Sequence, residues 1–511
     1  MSGPQLPHRA QDQAVVGAAV VEPSVQRWTI FEWSLQASLD GSARDTTVRA
    51  TFRHGADAIS VDGFPDGDGA WRVRFMPHET GEWRFHISSS IAELDGSTGS
   101  FVCVEPGPSN HGPVQVDGGF HFAYVDGTRY LPFGTTCYAW NHQPARRRQE
   151  TLSTLRTSPF NKLRMCVFPK RYIYNADEPE LHAFARKADG SLDFDRFEPE
   201  FFRQLEARVG ELKDLGIEAD LILFHPYDTW GYQDMTAEQD ERYLRYLIAR
   251  LGAYRNVWWS IANEFDLMAK PPERWLRFLE ILAEADPYRH LTSIHNAERM
   301  FDHDHPGITH VSIQSWDVKR TREWRERFGK PVINDEPEYE GDVPLPWGNI
   351  SARELVHRYW VTLLDGGHAG HGETYLDDHD ILWWSKGGRL KGESPPRIAF
   401  LRRLMEEASG PLEPLEPSWV WTRVSAGAVA PGTWFFYFGE HQPGRWTYGL
   451  PTEDGDYAVD LIDPWEMTVT PIPVSPPPPP TGLPGSHEED PPAFSVDLPA
   501  RPYLAIRVRK L

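Results

Sequence analysis

Short runs in which apolar and polar residues alternate occupy the first part of the chain. Residues 48–52, 71–75 and 83–87 are examples, and turns rich in Gly, Asp and Pro separate them. This alternation is typical of strands that bury one face in an antiparallel sheet. We predict a β-sandwich over residues 23–107, after a disordered N-terminus of residues 1–22, and a linker at residues 105–113.

From residue 113 to residue 410, buried apolar runs alternate with amphipathic runs of helical period. The predicted strands are residues 130–136, 161–168, 218–224, 257–263, 291–295, 308–314, 331–335 and 369–374. The predicted helices are residues 201–215, 237–251, 273–285, 352–364 and 397–407. Eight such strands with helices between most of them predict an α/β fold, a (β/α)8 TIM barrel.

Short strands return in the last part of the chain, and the helical pattern stops. Residues 433–438, 458–462 and 503–508 are the predicted strands of a small C-terminal β domain over residues 411–511. Within it, residues 476–480 are all Pro, and residues 482–492 are rich in Gly, Pro and acidic residues. This composition cannot form a packed core and predicts an exposed, polyproline-like loop.

The overall charge limits the range of partners. The chain has 52 basic and 74 acidic residues, a formal net charge of −22. Such a surface repels phosphate backbones and anionic membranes, and the sequence has no apolar stretch long enough to span a bilayer. We therefore expect neither nucleic acid nor membrane as a partner. A neutral carbohydrate is not repelled, and the sequence leaves self-association into a homo-oligomer open.

One predicted strand ends in an amide that is followed directly by a carboxylate, Asn263 and Glu264. Active sites of (β/α)8 barrels lie at the C-terminal ends of the strands, so a general acid is expected here. The Trp-rich strand would desolvate Glu264 and raise its pKa, which keeps the carboxyl protonated until it meets a leaving-group oxygen. Asn263 is placed to hydrogen-bond a sugar hydroxyl near the reacting carbon.

A second short buried run, residues 330–337, ends in Glu336. Strand order puts Glu264 on the fourth strand and Glu336 on the seventh, and these ends face one another across the mouth of a closed barrel. A carboxylate about 5 to 5.5 Å from the acid can attack the anomeric carbon of a sugar. Glu336 is therefore the predicted nucleophile, while Glu338, beyond the strand end, is a predicted loop or subsite residue.

The placement of Asn263, Glu264 and Glu336 resembles glycoside hydrolase clan A. Members of that clan use glutamates after strands four and seven as acid/base and nucleophile, with net retention. From residue 28 onward the chain is also similar to bacterial glycosidase-like proteins that join an immunoglobulin-like sandwich, an apiosidase-like barrel and a C-terminal β domain. The resemblance implies that Arg164 hydrogen-bonds and orients the nucleophile, and that His225 binds the sugar.

Other polar and aromatic residues follow the predicted strand ends, where a substrate would bind. The polar candidates are His295, Gln314, His371 and Glu373. Aromatic rings can cover the C–H face of a sugar, and the candidates for such stacking are Trp140, Trp230, Trp316 and Trp384. Each of these types is also common in protein cores and strand caps.

Two alternatives to this mechanism remain. Asp302, His303, Asp304 and His305, with His368, His371, Asp378, His379 and Asp380, have the composition of a zinc or manganese site and would suit a metal-dependent hydrolase. They contain no ligand motif such as H-E-x-x-H, so we expect no metal and no other cofactor. The other alternative is a barrel that binds carbohydrate without turnover.

The main prediction is a retaining β-glycoside hydrolase that works by double displacement. Cys103, Cys137 and Cys166 cannot all pair, which suits a reducing compartment. The first 21 residues lack both a basic n-region and a convincing cleavage site. These features predict a cytoplasmic enzyme that acts on imported oligosaccharides or small glycosides.

Overall fold

The computed structural model describes residues 23–37, 46–416, 424–448, 456–476 and 494–511. The disorder predicted for residues 1–22 lies outside the described residues, as does the Pro-rich loop predicted over residues 476–480 and 482–492, apart from Pro476.

A β-sandwich begins the described chain. Its strands are β1 (Ser24–Gln26), β2 (Phe31–Gln36), β3 (Val48–His54), β4 (Asp57–Asp62), β5 (Phe64–Pro65), β6 (Ala70–Phe75), β7 (Gly81–Ser89) and β8 (Thr98–Val104). One sheet has the order β1-β8-β7-β3-β4, and the other has the order β2-β6-β5. Along β7, Trp83, Phe85 and Ile87 are buried while the residues between them are exposed. This period of two is the signal that predicted the strand.

A small antiparallel meander follows: β9 (Val114–Asp117), β10 (His121–Tyr124) and β11 (Arg129–Tyr130). It covers the N-terminal end of the barrel. The ring of Phe122 lies 5.4 Å from that of Trp258 and 5.7 Å from that of His368. The prediction of one barrel strand over residues 130–136 is therefore wrong in its first half, because Tyr130 pairs with Phe122 in the meander.

The next strands are β12 (Gly134–Thr136), β13 (Lys162–Cys166), β14 (Phe184–Arg186), β15 (Leu192–Phe197), β16 (Glu218–Phe224), β17 (Val257–Ala262), β18 (Thr292–Ser293), β19 (Val311–Gln314), β20 (Val332–Glu336), β21 (Glu340–Gly341), β22 (His368–His371) and β23 (Glu373–Thr374). Eight of them form a parallel sheet in the order β18-β17-β16-β13-β12-β22-β20-β19. The N–H of Thr309 donates to the carbonyl of Thr292 at 2.9 Å and joins the two outer edges. The predicted α/β barrel is confirmed.

The last predicted strand, residues 369–374, is interrupted. Its second part is β23, which leaves the barrel and pairs with β21. The break falls at Gly372, where the backbone passes so close to Tyr339 that a Cβ would lie 2.5 Å from the ring. The pattern of apolar and polar residues along the sequence gives no sign of this contact.

Eight helices are described: α1 (Ala145–Thr157), α2 (Pro199–Asp214), α3 (Ala237–Leu251), α4 (Pro272–Ala285), α5 (Thr321–Phe328), α6 (Ala352–Leu364), α7 (Trp383–Lys386) and α8 (Ser394–Glu406). The five predicted helices are confirmed, with ends displaced by three residues at most. The pattern did not reveal α1 and α5, because their sequences are mostly polar. Residues 294–310, which connect β18 to β19, contain no helix.

The interior of the barrel holds charges. Lys162 and Arg164 point inward from β13, and the residues between and after them point toward the helices. The Lys162 ammonium lies 2.5 Å from Asp220 Oδ2 and 2.8 Å from Asp335 Oδ1. Buried charges persist only when they are paired, and this pairing holds Asp335 immediately before the end of β20.

Ion pairs attach the sandwich to the barrel. Arg250 of α3 is fully buried, and its Nη2 lies 2.9 Å from Oδ1 of Asp66 in the sandwich. Arg74 of β6 in turn donates to Glu206 of α2 at 3.0 Å, and Glu206 also accepts from Arg250. The two units are therefore joined by buried charges from both sides.

The C-terminal β domain contains β24 (Leu412–Pro414), β25 (Ser425–Val429), β26 (Thr433–Tyr437), β27 (Arg445–Tyr448), β28 (Tyr457–Asp463), β29 (Thr468–Ile472), β30 (Phe494–Asp497) and β31 (Ala505–Lys510). An antiparallel sheet of order β24-β25-β26-β31-β28-β29 packs against α6, where the rings of Trp360 and Tyr437 stack at 5.3 Å. No helix among the described residues has both the length and the apolar composition needed to cross a membrane.

Candidate active site

Glu264 stands two residues after the end of β17 and adopts a left-handed backbone conformation, φ 50°. Left-handed backbone is uncommon for a residue with a side chain, and here it ends the strand at the barrel mouth. Oε2 of Glu264 accepts hydrogen bonds from the hydroxyl of Tyr227 and, at 3.1 Å, from Nδ2 of Asn263. Burial, and then the nearby charge of Glu336, raise the pKa of Glu264 to about 7. A carboxyl with this pKa can donate a proton near neutral pH.

Glu336 ends β20, and its Oε1 accepts a hydrogen bond from the hydroxyl of Tyr138. Nε2 of His295 lies 3.8 Å from the same oxygen. Burial raises the pKa of Glu336, whereas the Arg164 guanidinium and the Tyr138 hydrogen bond lower it. Burial prevails, so the pKa values of both glutamates are raised, and the charge of Arg164 favours the ionised form of Glu336.

A chain of polar contacts joins the two glutamates. The hydroxyl of Tyr138 lies 3.1 Å from Oδ1 of Asn263, and Nδ2 of Asn263 donates to Glu264. Arg164 fixes this amide, because its Nη2 donates to the same Oδ1 at 3.0 Å. The barrel therefore brings both carboxylates to one mouth, as the strand order predicts.

The expected hydrogen bond from Arg164 to the nucleophile is absent from the described structure. Arg164 Nη1 donates to Ser260 Oγ at 2.9 Å, and Nη2 donates to Asn263. The side chain of Arg164 crosses the barrel interior from β13 to β17. Its hydrogen bonds are therefore made to residues in and just after β17, and none is made to Glu336. Arg164 thus orients Asn263, and it acts on Glu336 through its charge.

Aromatic rings surround a buried ammonium at the same mouth. Nζ of Lys170 lies 3.6 Å from the ring centroid of Tyr138, 4.2 Å from Tyr227, 4.6 Å from Trp384 and 5.6 Å from Tyr172. Nε1 of Trp384 is buried and has no hydrogen-bond partner among the described residues. Trp384 therefore forms part of a wall beside Tyr138, and its contact with a sugar stays a prediction.

Sequence reasoning missed Tyr138, Lys170, Tyr172 and Tyr227. All four lie in the segments that follow β12, β13 and β16, so a search of the residues just beyond each strand end would have found them. Tyr227 stands two residues after His225, which sequence analysis did select.

Three other predicted contacts lie near the mouth. His225 has one ring nitrogen 3.2 Å from the carbonyl of Phe168, and its other nitrogen is buried without a partner. Burial, and then the charge of Lys170, lower the pKa of His225 to about 3, so the ring is neutral. Gln314 also has a buried, unpartnered side-chain oxygen, and Trp316, two residues further on, is 69% exposed.

Two predicted stacking residues lie elsewhere. Trp140 is fully buried in the barrel core and donates from Nε1 to Sδ of Met165 at 3.2 Å, so the prediction that it stacks on a sugar is wrong. Trp230 packs its ring against His182 and directs Nε1 to Glu178 at 3.0 Å. Its polar atom is therefore already bound within the protein.

Predicted polar contacts on and near the last strand point away from the glutamates. His371 pairs in register with Thr135, faces the helix layer and stacks on Phe160 at 4.5 Å. Glu373 is buried, and its carboxylate accepts the backbone N–H of Gly392 at 2.8 Å. The two predictions of substrate contact are wrong, because the chain itself uses these side chains.

Glu338, the predicted loop or subsite residue, forms an ion pair with Arg358 of α6 at 2.8 Å. Its backbone is also left-handed, φ 66°, so the chain turns away from the direction of β20 at this point. Its carboxylate is thus bound to the helix layer behind the strand end.

The suggested metal-binding residues are dispersed. His303 packs on Phe328, His368 packs on Phe122 at the closed end of the barrel, and Asp377 caps the loop that carries His379. Across the described ranges, no three His, Cys, Asp or Glu side chains are grouped as a metal ion would require.

A parallel barrel with two hydrogen-bonded glutamates at the C-terminal ends of its fourth and seventh strands defines the protein as a glycoside hydrolase. The model of the apiosidase-like catalytic domain matches residues 117–419, and the chain belongs to this family. Two domains of unknown function match the flanking regions, DUF5060 at residues 24–90 and DUF5605 at residues 421–509.

Solved structures agree with this assignment. A Bacteroides vulgatus ATCC 8482 protein described as "a putative glycoside hydrolase" is 39% identical, with a TM-score of 0.88 over 96% of this chain and 100% of its own. A glycoside hydrolase family 5 protein from the same organism is 14% identical, with a TM-score of 0.59 over 79% of this chain and 94% of its own, and it shares the fold. No curated protein matches the chain.

Proposed function

We propose that this glycosidase is a retaining β-glycoside hydrolase that works by double displacement, with Glu336 as nucleophile and Glu264 as general acid/base. The chain of polar contacts from Glu336 through Tyr138 and Asn263 to Glu264 carries the proposal. It holds both carboxyl groups at one place, and their different surroundings separate their protonation states.

In the first step, a carboxylate oxygen of Glu336 attacks the anomeric carbon as the glycosidic C–O bond breaks. The proton of Glu264 passes to the leaving oxygen, so the leaving group departs as a neutral alcohol. Negative charge is thereby lost from Glu336 and appears on Glu264. The amide of Asn263, held by Arg164, is placed to donate to a sugar hydroxyl, an interaction that strengthens in the transition state.

In the second step, the Glu264 carboxylate takes a proton from water, and the water oxygen attacks the anomeric carbon. The ester bond to Glu336 breaks, which returns its negative charge, and Glu264 is protonated again. Two inversions give net retention. The step uses only side chains already described and requires no cofactor.

The substrate we propose is a small glycoside or an oligosaccharide. Tyr172 and Tyr227 are partly exposed and present aromatic surface beside the glutamates, as carbohydrate sites commonly do. We also propose a cytoplasmic location, which is compatible with three free, buried cysteines.

Hydrolysis of a panel of nitrophenyl glycosides, covering xyloside, glucoside, galactoside, arabinoside and apioside forms, tests the proposal. NMR of the first product formed should show the configuration of the substrate. Glu336→Ala and Glu264→Ala should each lose activity, and azide should rescue them with opposite configurations of the glycosyl azide. Initial product of inverted configuration, or full activity of Glu336→Ala, would overturn the mechanism.

Two other outcomes would redirect the assignment. Binding of glycans with no hydrolysis over long incubation would indicate a carbohydrate-binding barrel. Loss of wild-type activity on chelation, with activity restored by added metal, would indicate the metal-dependent alternative.

A further inference from the structure

Lys170 is a buried lysine without an acidic partner; burial lowers the pKa of its ammonium, and the charges of Glu264 and Glu336 oppose that fall. Among the described residues, no carboxylate forms an ion pair with its Nζ, and four aromatic rings surround it instead. Other buried lysines differ: Lys162 pairs with Asp220 and Asp335, and Lys270 pairs with Asp240 at 2.7 Å. Burial of an unpaired charge is costly, and cation–π contacts offset only part of the cost. The position of Lys170 therefore calls for an explanation.

Two of the four rings belong to the tyrosines that hold the glutamates. Tyr138 donates to Glu336, Tyr227 donates to Glu264, and the Lys170 ammonium lies between the two rings at 3.6 Å and 4.2 Å. A cation on a phenol ring polarises the O–H group and makes it a stronger donor. Lys170 thus acts on the hydrogen bonds that reach both carboxylates.

We propose that Lys170 is a positioning residue that serves as a shared counter-ion, stabilising whichever of Glu336 and Glu264 is ionised in each half of the reaction. This inference rests on the proposed double displacement, in which negative charge leaves Glu336 in the first step and returns to it in the second. A lysine with its own carboxylate would be neutralised by that partner. A lysine that is held by uncharged rings can instead stabilise negative charge at either glutamate.

The titratable and charged groups that face Lys170 come from several segments. They are Arg164 and Cys166 of β13, His225 and Tyr227 after β16, Tyr138 after β12, Tyr172 after β13, Glu264 after β17 and Glu336 of β20. The thiol of Cys166, whose pKa burial raises to about 12, and the ring of His225 are neutral at ordinary pH. Arg164 is the other cation of this group, and its Nη1 and Nη2 donate to Ser260 and Asn263.

The test is the pH profile of Lys170→Met, which keeps the length of the side chain and removes its charge. Without the cation, the pKa of each glutamate rises. The acid limb of kcat/KM requires ionised Glu336 and the basic limb requires protonated Glu264, so both limbs should move to higher pH, by about one unit. In Lys170→Arg, which keeps the charge, both limbs of the pH profile should lie at the same pH as in the wild type. Lys187→Met, at an exposed lysine, is the matched control.

Other roles for Lys170 give other results. A residue that only contacts substrate would raise KM and leave both limbs in place. A residue that only supports packing would lower the melting temperature with unshifted limbs, in both Lys170→Met and Lys170→Arg. Either result would overturn the proposal.

A measurement without substrate separates this inference from the proposed function. Infrared difference spectra report the protonated carboxyl band as pH changes, and Glu264→Gln assigns the part of the band due to Glu264. The midpoint should lie near 7 in the wild type and higher in Lys170→Met. An equal midpoint in both proteins would refute the shared counter-ion even if hydrolysis is normal. Failure of the wild type to cleave any glycoside would instead count against the proposed function.

Discussion

Tyr138, two residues after the first barrel strand, donates its hydroxyl hydrogen to Oε1 of Glu336 at the end of the seventh. We expect Tyr138→Phe to lower kcat/KM by about ten- to a hundredfold, because a hydrogen bond to a charged group contributes roughly 1.5 to 3 kcal/mol. Loss of the bond also raises the pKa of Glu336, so the acid limb of the pH profile should move upward. Steady-state kinetics across pH measures both effects.

Tyr359→Phe is the matched control for that variant. Tyr359 is equally buried, and its hydroxyl donates to the carbonyl of Gly134 at 3.2 Å, away from the glutamates. It should change stability with little change in kcat/KM. Equal losses of activity in the two variants would contradict a specific role for Tyr138.

Glu264→Gln is expected to stabilise the protein while it abolishes acid/base catalysis. The pKa of Glu264 is raised to about 7 from its ordinary 4.5, so the folded state opposes ionisation. The unfolded chain loses this proton at lower pH, and the wild type therefore loses stability as pH rises from about 4.5 through about 7. The melting temperature of Glu264→Gln should exceed that of the wild type by a margin that widens over this window. A constant margin from pH 5 to pH 8 would contradict the raised pKa.

Trp316→Ala tests whether the exposed ring at the barrel mouth binds substrate. Because the side chain is 69% exposed, its removal should change the free energy of unfolding by no more than about 0.5 kcal/mol. We expect KM to rise severalfold on a substrate long enough to reach the loop after β19, with kcat nearly unchanged. Unaltered kinetics on every substrate would exclude Trp316 from binding.

Arg250→Met should destabilise the protein by about 3 to 5 kcal/mol, because it leaves the carboxylates of Asp66 and Glu206 buried with one cation fewer. Denaturant unfolding measures the loss, and limited proteolysis should show cleavage between sandwich and barrel. Arg49→Met, at an exposed pair with Asp62, should cost no more than about 1 kcal/mol. Similar losses in both variants would mean that the buried pairs do not join the two units.

The barrel could be predicted from the sequence because its strands are short apolar runs with amphipathic helices between them. The run at Glu218–Phe224 is entirely buried, and α4 buries Trp275, Phe278 and Leu279 on one face. The ends of strands could not be predicted as well where contacts between distant parts of the chain determine them. Tyr130 is apolar enough for a barrel strand, but its pairing with Phe122 places it in the meander.

The two glutamates could be found because each stands at the C-terminal end of a buried strand. The order of the strands alone brings those two strand ends together. Side-chain direction could not be found in the same way. His371 stands at a strand end but faces outward in register with Thr135, and a shift of one residue would reverse this. Lys170 and Tyr138 carry no local motif, and their importance appears only when segments after different strands meet.

The meander that contains Phe122 closes one end of the barrel, so everything that reaches the glutamates passes through the opposite opening. In the proposed double displacement, water for the second step must therefore arrive along the path by which the released alcohol departs. While that alcohol remained, it would shield the glycosyl–Glu336 ester from hydrolysis, and a second alcohol that arrived first would receive the sugar in place of water. If the proposed mechanism holds, the enclosed floor of the barrel makes transfer to an acceptor the natural competitor of hydrolysis.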